Sequence, residues 1–411
     1  MIRPISISLS PNTETDDILA AFALLFQPWR WQKGGQTPLL EEEFREYLGV
    51  EYAFAFNSGR SAFLAILESL GLKKGDEILI QAFTCNAVPN PILWSGLKPV
   101  YVDCKEDYNM SPEDLKKKIT PHTKAVLVQH TFGAPADMDK IQEICSKHNL
   151  VLLEDCAHAL GAEYKGRKVG TFGKASFFSF SRDKVISSVY GGMVVTNDAP
   201  LAESMREFQK KVGYPFLLWI FQQLLHPVIM NWRILPLYGI GGKYTLRIAQ
   251  YLHVLSKAVH KKEKRGEKPG YFPKALPNAL ALLARKQLRK LERFNEHRRQ
   301  IAQKYVQALS HTQYQILDTK YQEGNIYLRF PLRHVKAHEI IKRAWRQNLL
   351  LGDWYTTPIA PYDTQIEKMG YEWGSCPKAE ELAKTTLNLP THIRISEKEV
   401  NTIIQFLLNE I

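Results

Sequence analysis

Two apolar runs near the middle of the chain end on side chains that could do chemistry. Residues 151–153 run into Glu154 and Asp155, and residues 175–180 run into Ser181, Arg182, Asp183 and Lys184. A third run, 192–196, follows a double glycine. Short apolar runs of this kind read as buried strands, and open α/β sheets bring ligands to the carboxyl ends of their strands. The spacing therefore places an acid and a lysine at one rim of a sheet. That pair suits pyridoxal phosphate: the lysine holds the aldehyde as a Schiff base, and the acid keeps the ring nitrogen protonated so that the ring serves as an electron sink. Strand-end carboxylates with a lysine nearby are common, so the pair alone does not decide the chemistry.

The elements that must position these residues alternate. A strand at 52–56 leads through Asn57-Ser58-Gly59-Arg60-Ser61 into a helix ending near Leu70. A strand, a polar turn and a helix N-terminus form a ready anion site; an ordinary N-cap by Asn57 or Ser58 is the competing reading. Strands at 78–80, 99–102, 125–128 and 151–153 are separated by helices at 86–94, 112–118 and 138–148, which predicts βαβ units and a mostly parallel sheet. His130 falls at the same rim, as a structural or a site residue. No Gly-x-Gly-x-x-Gly follows a strand, which argues against a nicotinamide dehydrogenase. Apolar spacing predicts one long helix over 280–309, bridging to a smaller domain with a strand at 326–331, a helix at 337–345 and a last helix at 397–408. Ser396 and Glu399 make a capping box for that last helix.

With 411 residues and 45% hydrophobic content, the chain can bury two cores. The expected division is 1–275, an N-terminal segment and large domain, and 276–411, the linking helix and small domain. Five scattered cysteines lack metal-ligand spacing, so no metal site is expected and the thiols read as reduced, buried and cytoplasmic. The first 17 residues lack the basic and apolar regions of a secretory signal. The net charge of +12 is concentrated: residues 201–300 carry 20 Lys and Arg against 6 Asp and Glu. A partner with negative charge should meet that segment; no nucleic-acid motif accompanies it, so nucleic acid is not expected. Within a helical, basic insertion at 205–270, positions 217, 218, 220, 221, 224, 225, 228 and 229 are apolar, but Pro227 would kink the helix, so no membrane span is expected. A second amphipathic pattern through 248, 252, 255 and 259 leads to the basic run 260–265. The stretch 214–265 reads as a helical lid or dimer contact, or as a peripheral contact with an anionic membrane at its inner face.

Further motifs, in order, resemble the DegT/DnrJ/EryC1/StrS family of sugar aminotransferases. They are Ser58-Gly59-Arg60-Ser61-Ala62, Ala82-Phe83-Thr84 through Gly96 and Pro99 to Asp103, His130 to Met138, and Glu154 to Ala162. Phe178-Ser179-Phe180, Lys184, Gly191-Gly192-Met193, Cys376-Pro377 and Leu387 to His392 complete the series. The resemblance spans roughly 40–198 and 280–411.

The resemblance implies an α/β, fold-type I pyridoxal-phosphate-dependent transferase: a mostly parallel sheet flanked by helices, with a smaller α+β C-terminal domain. It implies a homodimer with shared active sites, an amino-acid donor (glutamate) and a keto-sugar acceptor, nucleotide- or lipid-diphosphate-linked, for polysaccharide or secondary-metabolite synthesis. Lys184 would be catalytic and bear the cofactor. Asp155 would pair with the ring nitrogen, His158 would lie near the ring, and the N–H groups of Gly59 and Arg60 with the Ser179 hydroxyl would hold the phosphate. Cys85 stands where the family places an aromatic on the ring, so stacking is expected from elsewhere. Arg60 replaces a small hydroxyl residue, Tyr190 replaces an acid, and the family's Gly-x-Asn-x-Arg segment is not recognisable around 271–274. The alternatives are a dehydratase using the same cofactor, from which Lys184 argues away, and a non-catalytic regulatory protein on the same fold.

Overall fold

The computed structural model describes residues 3–316 and 323–410. Seven strands form the central sheet: β1 (Tyr52–Phe56), β2 (Glu77–Gln81), β3 (Lys98–Val102), β4 (Thr123–Gln129), β5 (Val151–Asp155), β6 (Ala175–Ser179) and β7 (Gly192–Thr196). Their spatial order is β1-β7-β6-β5-β4-β2-β3. Only β7 runs against its neighbours, so the expected mostly parallel sheet is present. The register aligns Asp155 with Phe177 and Ser179 with Gly192, and Gly192 with Phe56. The end of β5, the end of β6 and the turn after β1 therefore share one rim.

Side-chain alternation along the strands supplies cores on both faces. Phe54, Phe56 and Phe177 face one way, against Phe63 and Ile66 of helix Gly59–Ser69. Ala55, Phe178 and Met193 face the other, against Phe44 and Leu280. A separate core in the C-terminal part unites Ile301, Tyr305, Phe330, Leu389 and Ile403. The N-terminus joins that part: strand Ile5–Ser6 pairs with Leu349–Leu350.

Three local expectations change. The single helix over 280–309 is two, Asn278–Leu288 and Leu291–Leu309. Apolar spacing continues across the break through Leu288 and Leu291, so periodicity cannot report it. At the break, Lys290 directs its amine onto Asp16 and Asp17. The helix expected from residue 86 begins at Pro89, where proline's fixed φ and missing N–H suit a first turn. The strand expected over 326–331 is Phe330–Arg333; Ile326 instead donates its N–H to the Gly133 carbonyl at 3.2 Å. Helix Leu217–Ile229 contains Pro227 and runs on into a π-helical turn, Met230–Ile234. The sharp bend, 100°, lies earlier, between Ala199–Val212 and Leu217–Ile234.

Candidate active site

The two carboxylates that end β5 face opposite sides of the sheet, as successive strand residues must. Glu154 is fully buried. It accepts the N–H groups of Gly170, Phe172 and Gly173, each at 2.7 Å, and lies 3.2 Å from Nε2 of His130. Burial opposes its charge, but the His130 contact and these donors hold its carboxyl below the usual range. His130 Nδ1 accepts the Ala136 N–H at 3.1 Å, so the Nε2 proton points at Glu154. His130 is thus structural, and that alternative is settled by the hydrogen bonds.

Asp155 lines a cavity of about 190 Å³ on the other side. One carboxylate oxygen takes the Ala157 N–H at 2.9 Å. Burial pushes its carboxyl up to about 6, against that hydrogen bond and the pull of Lys184. Lys184 lines the same cavity. Burial lowers the pKa of its amine, with Asp183 opposing the shift. Its amine lies 4.5 Å from the Trp354 ring centroid.

The turn carrying Lys184 is tethered from distant parts of the chain. Asn12 donates its amide to the Lys184 and Val185 carbonyls at 2.6 and 3.1 Å. Arg298 donates to the Val185 carbonyl and to the Asn12 side-chain oxygen, both at 2.9 Å. Arg298 is a fully buried tether. Neither residue carries a sequence signal beyond a polar residue at a core position.

Ser58 caps helix Gly59–Ser69 by accepting the Ser61 N–H at 3.0 Å. The cap uses the Ser61 N–H and leaves the earlier N–H groups of Gly59 and Arg60 open. A Cβ on Gly59 would meet the Ser179 Cβ at 3.0 Å and its Oγ at 3.2 Å, so any larger residue would have to push Ser179 back by a few tenths of an ångström. The Arg60 guanidinium turns away to form a buried ion pair with Glu263, donates to the Ala258 carbonyl at 3.2 Å and lies 4.7 Å from the Phe272 ring centroid.

Cys85 sits in strand Thr84–Cys85, paired with Ile359–Ala360, and lines the cavity. His158 is buried and stacks on Trp354, with ring centroids 5.1 Å apart. Its Nδ1 accepts the Phe132 N–H at 3.3 Å and its Nε2 lies 3.4 Å from the Tyr355 hydroxyl. Burial, reinforced by Lys184 and Arg329, keeps it neutral, with a pKa well below the usual value. Gly59, Arg60, Cys85, Asp155, His158, Ser179 and Lys184 all line this one cavity. Sequence reading missed Trp354 and Tyr355, the wall supplied by the C-terminal part. Asn388 positions that wall by accepting the Trp354 N–H at 3.1 Å. Residues 271–274 lie beside the cradle in the same chain: Asn57 donates to the Tyr271 carbonyl at 2.8 Å and accepts the Lys274 N–H at 3.2 Å.

The model of the DegT/DnrJ/EryC1/StrS aminotransferase family matches residues 12–215 and 244–408. The GDP-perosamine synthase of Escherichia coli O157:H7 is 40% identical over 208 residues, 50% of this chain and 56% of that protein. The chain thus spans about half the length of that relative. The spore coat polysaccharide biosynthesis protein SpsC of Bacillus subtilis is 27% identical over 385 residues, covering 91% of this chain and 89% of that one. Among solved structures, Helicobacter pylori PseC, an aminotransferase involved in the biosynthesis of pseudoaminic acid, superposes with a TM-score of 0.78. It covers 99% of both chains at 24% identity. The fold is that of fold-type I pyridoxal-phosphate-dependent aminotransferases.

Proposed function

The chain belongs to the DegT/DnrJ/EryC1/StrS aminotransferase family, and on that premise we propose that it moves an amino group from glutamate to a keto sugar carried on a nucleotide or lipid diphosphate. The observation that carries this reading is the convergence of Lys184, Asp155 and the Gly59–Ser179 cradle on one cavity. The residues fit pyridoxal phosphate. The Gly59 turn leaves room where a Cβ would touch Ser179, and Asp155 is a buried carboxyl with no cation bonded to it among the described residues, its pKa raised to about 6. When bound, the cofactor supplies an electron sink for the carbon that gains or loses the amine.

The protein's own groups do the rest. The Gly59 and Arg60 N–H groups and the Ser179 hydroxyl bind the phosphate at the helix N-terminus. Asp155, ionised opposite a protonated ring nitrogen, holds that proton in place. Lys184 Nζ, whose pKa burial lowers, takes and returns a proton at the reacting carbon. His158, kept neutral, and Trp354 wall the site against water. The named activity of the GDP-perosamine synthase relative supports a nucleotide-linked sugar as acceptor. The test is a half-reaction: protein loaded with pyridoxal phosphate and given glutamate should release 2-oxoglutarate and lose its yellow colour. Failure with glutamate but success with another amino acid would change the donor; failure with every amino acid would overturn transamination.

A further inference from the structure

Helix Leu217–Ile229 and its continuation are apolar on two faces. Trp219, Ile220, Leu224 and Val228 are buried in the protein. Leu218, Phe221, Leu225, Ile229 and Trp232 form a second stripe at helical spacing that looks outward, with Leu218 63% and Trp232 52% exposed. A helix apolar all round belongs inside a core or against lipid; here Leu225 and Ile229 are half-buried, while Leu218, Phe221 and Trp232 stay exposed. The stripe continues sideways. Phe22 of helix Thr15–Leu25 lies 5.1 Å from Trp232 and 5.2 Å from Phe26, and beyond them Trp29 is 75% exposed. On the other side, Ile240 and Tyr251 are 70% and 81% exposed. The central part of this surface, 216–243, is the stretch between the two segments that the family model matches.

Charge distinguishes the partners that could cover it. Between Glu207 and Glu263 the chain has eight lysines and arginines and no acidic residue. Arg233, Lys243 and Arg247 have no ion-pair partner among the described residues. A two-fold contact between copies would set this basic face against itself. Exposed tryptophan, tyrosine and leucine rimmed by basic groups match the headgroup region of an anionic bilayer instead. No single helix is long and apolar enough to cross, so the element lies in the interface.

We propose that this surface docks the protein on an anionic lipid bilayer. The surface is joined to the active site: residues after Tyr251 lead to Ala258 and Val259, which line the cavity, and to Glu263, which is tied to Arg60. Docking is therefore linked through residues 252–263 to the wall of the active-site cavity. The exposed stripe and its basic rim are independent of the amination chemistry.

The test is flotation of the full chain with phosphatidylcholine vesicles, with and without phosphatidylglycerol. The triple substitution Arg233→Glu, Lys243→Glu, Arg247→Glu and the pair Trp29→Ser, Trp232→Ser change exposed or, at Lys243, half-buried residues outside the active site. Wild type should float only with phosphatidylglycerol and be released by salt. The charge variant should lose roughly a hundredfold in partitioning, and the tryptophan variant should also bind more weakly. Both should keep the glutamate half-reaction in solution, so loss of that reaction reports on the amination reading alone. No flotation of the wild type, or flotation that neither variant weakens, overturns the proposal. So does a dimer that both variants dissociate, which would make a second copy the occupant of this face.

Discussion

Glu154 and Asp155 are adjacent in one strand yet have opposite fates: three backbone N–H groups hold Glu154 inside the fold, while Asp155 faces the cavity with its carboxyl pushed up to about 6. One is enclosed by the fold and the other is open to the cavity, and the pleat of β5 separates them.

The pair gives opposite results on substitution. Glu154→Gln removes the charge from an acceptor of several buried donors and should cost about 2–3 kcal/mol of stability, read as a lower urea midpoint. Asp155→Asn should instead abolish turnover while leaving the cofactor-free protein as stable or more so.

The pH dependence of that stability follows from the sign of the shift. The Asp155 pKa is raised on folding from 3.8 to about 6, so ionising it works against the cofactor-free fold. The penalty is absent below pH about 4, grows between 4 and 6, and reaches roughly 3 kcal/mol above 6. Asp155→Asn should therefore raise the unfolding midpoint of the cofactor-free protein at pH 7.5 and leave it unchanged at pH 4. Equal effects at both pH values would contradict the assignment.

The Arg60–Glu263 pair is buried on both sides. Glu263→Gln leaves the arginine charge without its partner and should cost about 3–5 kcal/mol. The double replacement Arg60→Met with Glu263→Met should recover most of that loss. Because Glu263 ties residues 256–266 to the cradle, the single variant should also bind pyridoxal phosphate more weakly, measured by equilibrium dialysis.

Trp354 is the aromatic wall beside His158 and Lys184. Trp354→Ala should raise the dissociation constant for cofactor roughly tenfold, the size of a lost stacking contact. Cys85→Ala should change it little. If Cys85→Ala proved the more damaging, the stacking role would belong to that position.

Most of the sheet was legible because its strands are short apolar runs separated by turn residues, and period-2 alternation carries through Phe54, Phe177 and Phe178. Asp155 and Lys184 were legible for the same reason, since one ends a strand and the other follows one, whereas Cys85, His158 and Ser179 came from the family resemblance. What periodicity could not show was the break at Lys290, since the apolar spacing crosses it, and the C-terminal wall. Trp354 and Tyr355 lie in a loop that only tertiary contacts bring to Lys184. The roles of Asn12 and Arg298 were equally hidden, because a buried polar residue shows its partner only in three dimensions. The outward stripe of Leu217–Ile234 was visible as hydrophobicity, but not as exposure.

The account rests on Lys184 as the residue that carries pyridoxal phosphate. Borohydride reduction of the yellow protein, followed by peptide mass mapping, tests it directly. The predicted result is one phosphopyridoxyl group per chain, on Lys184. No tag, or a tag confined to another lysine, would contradict the account.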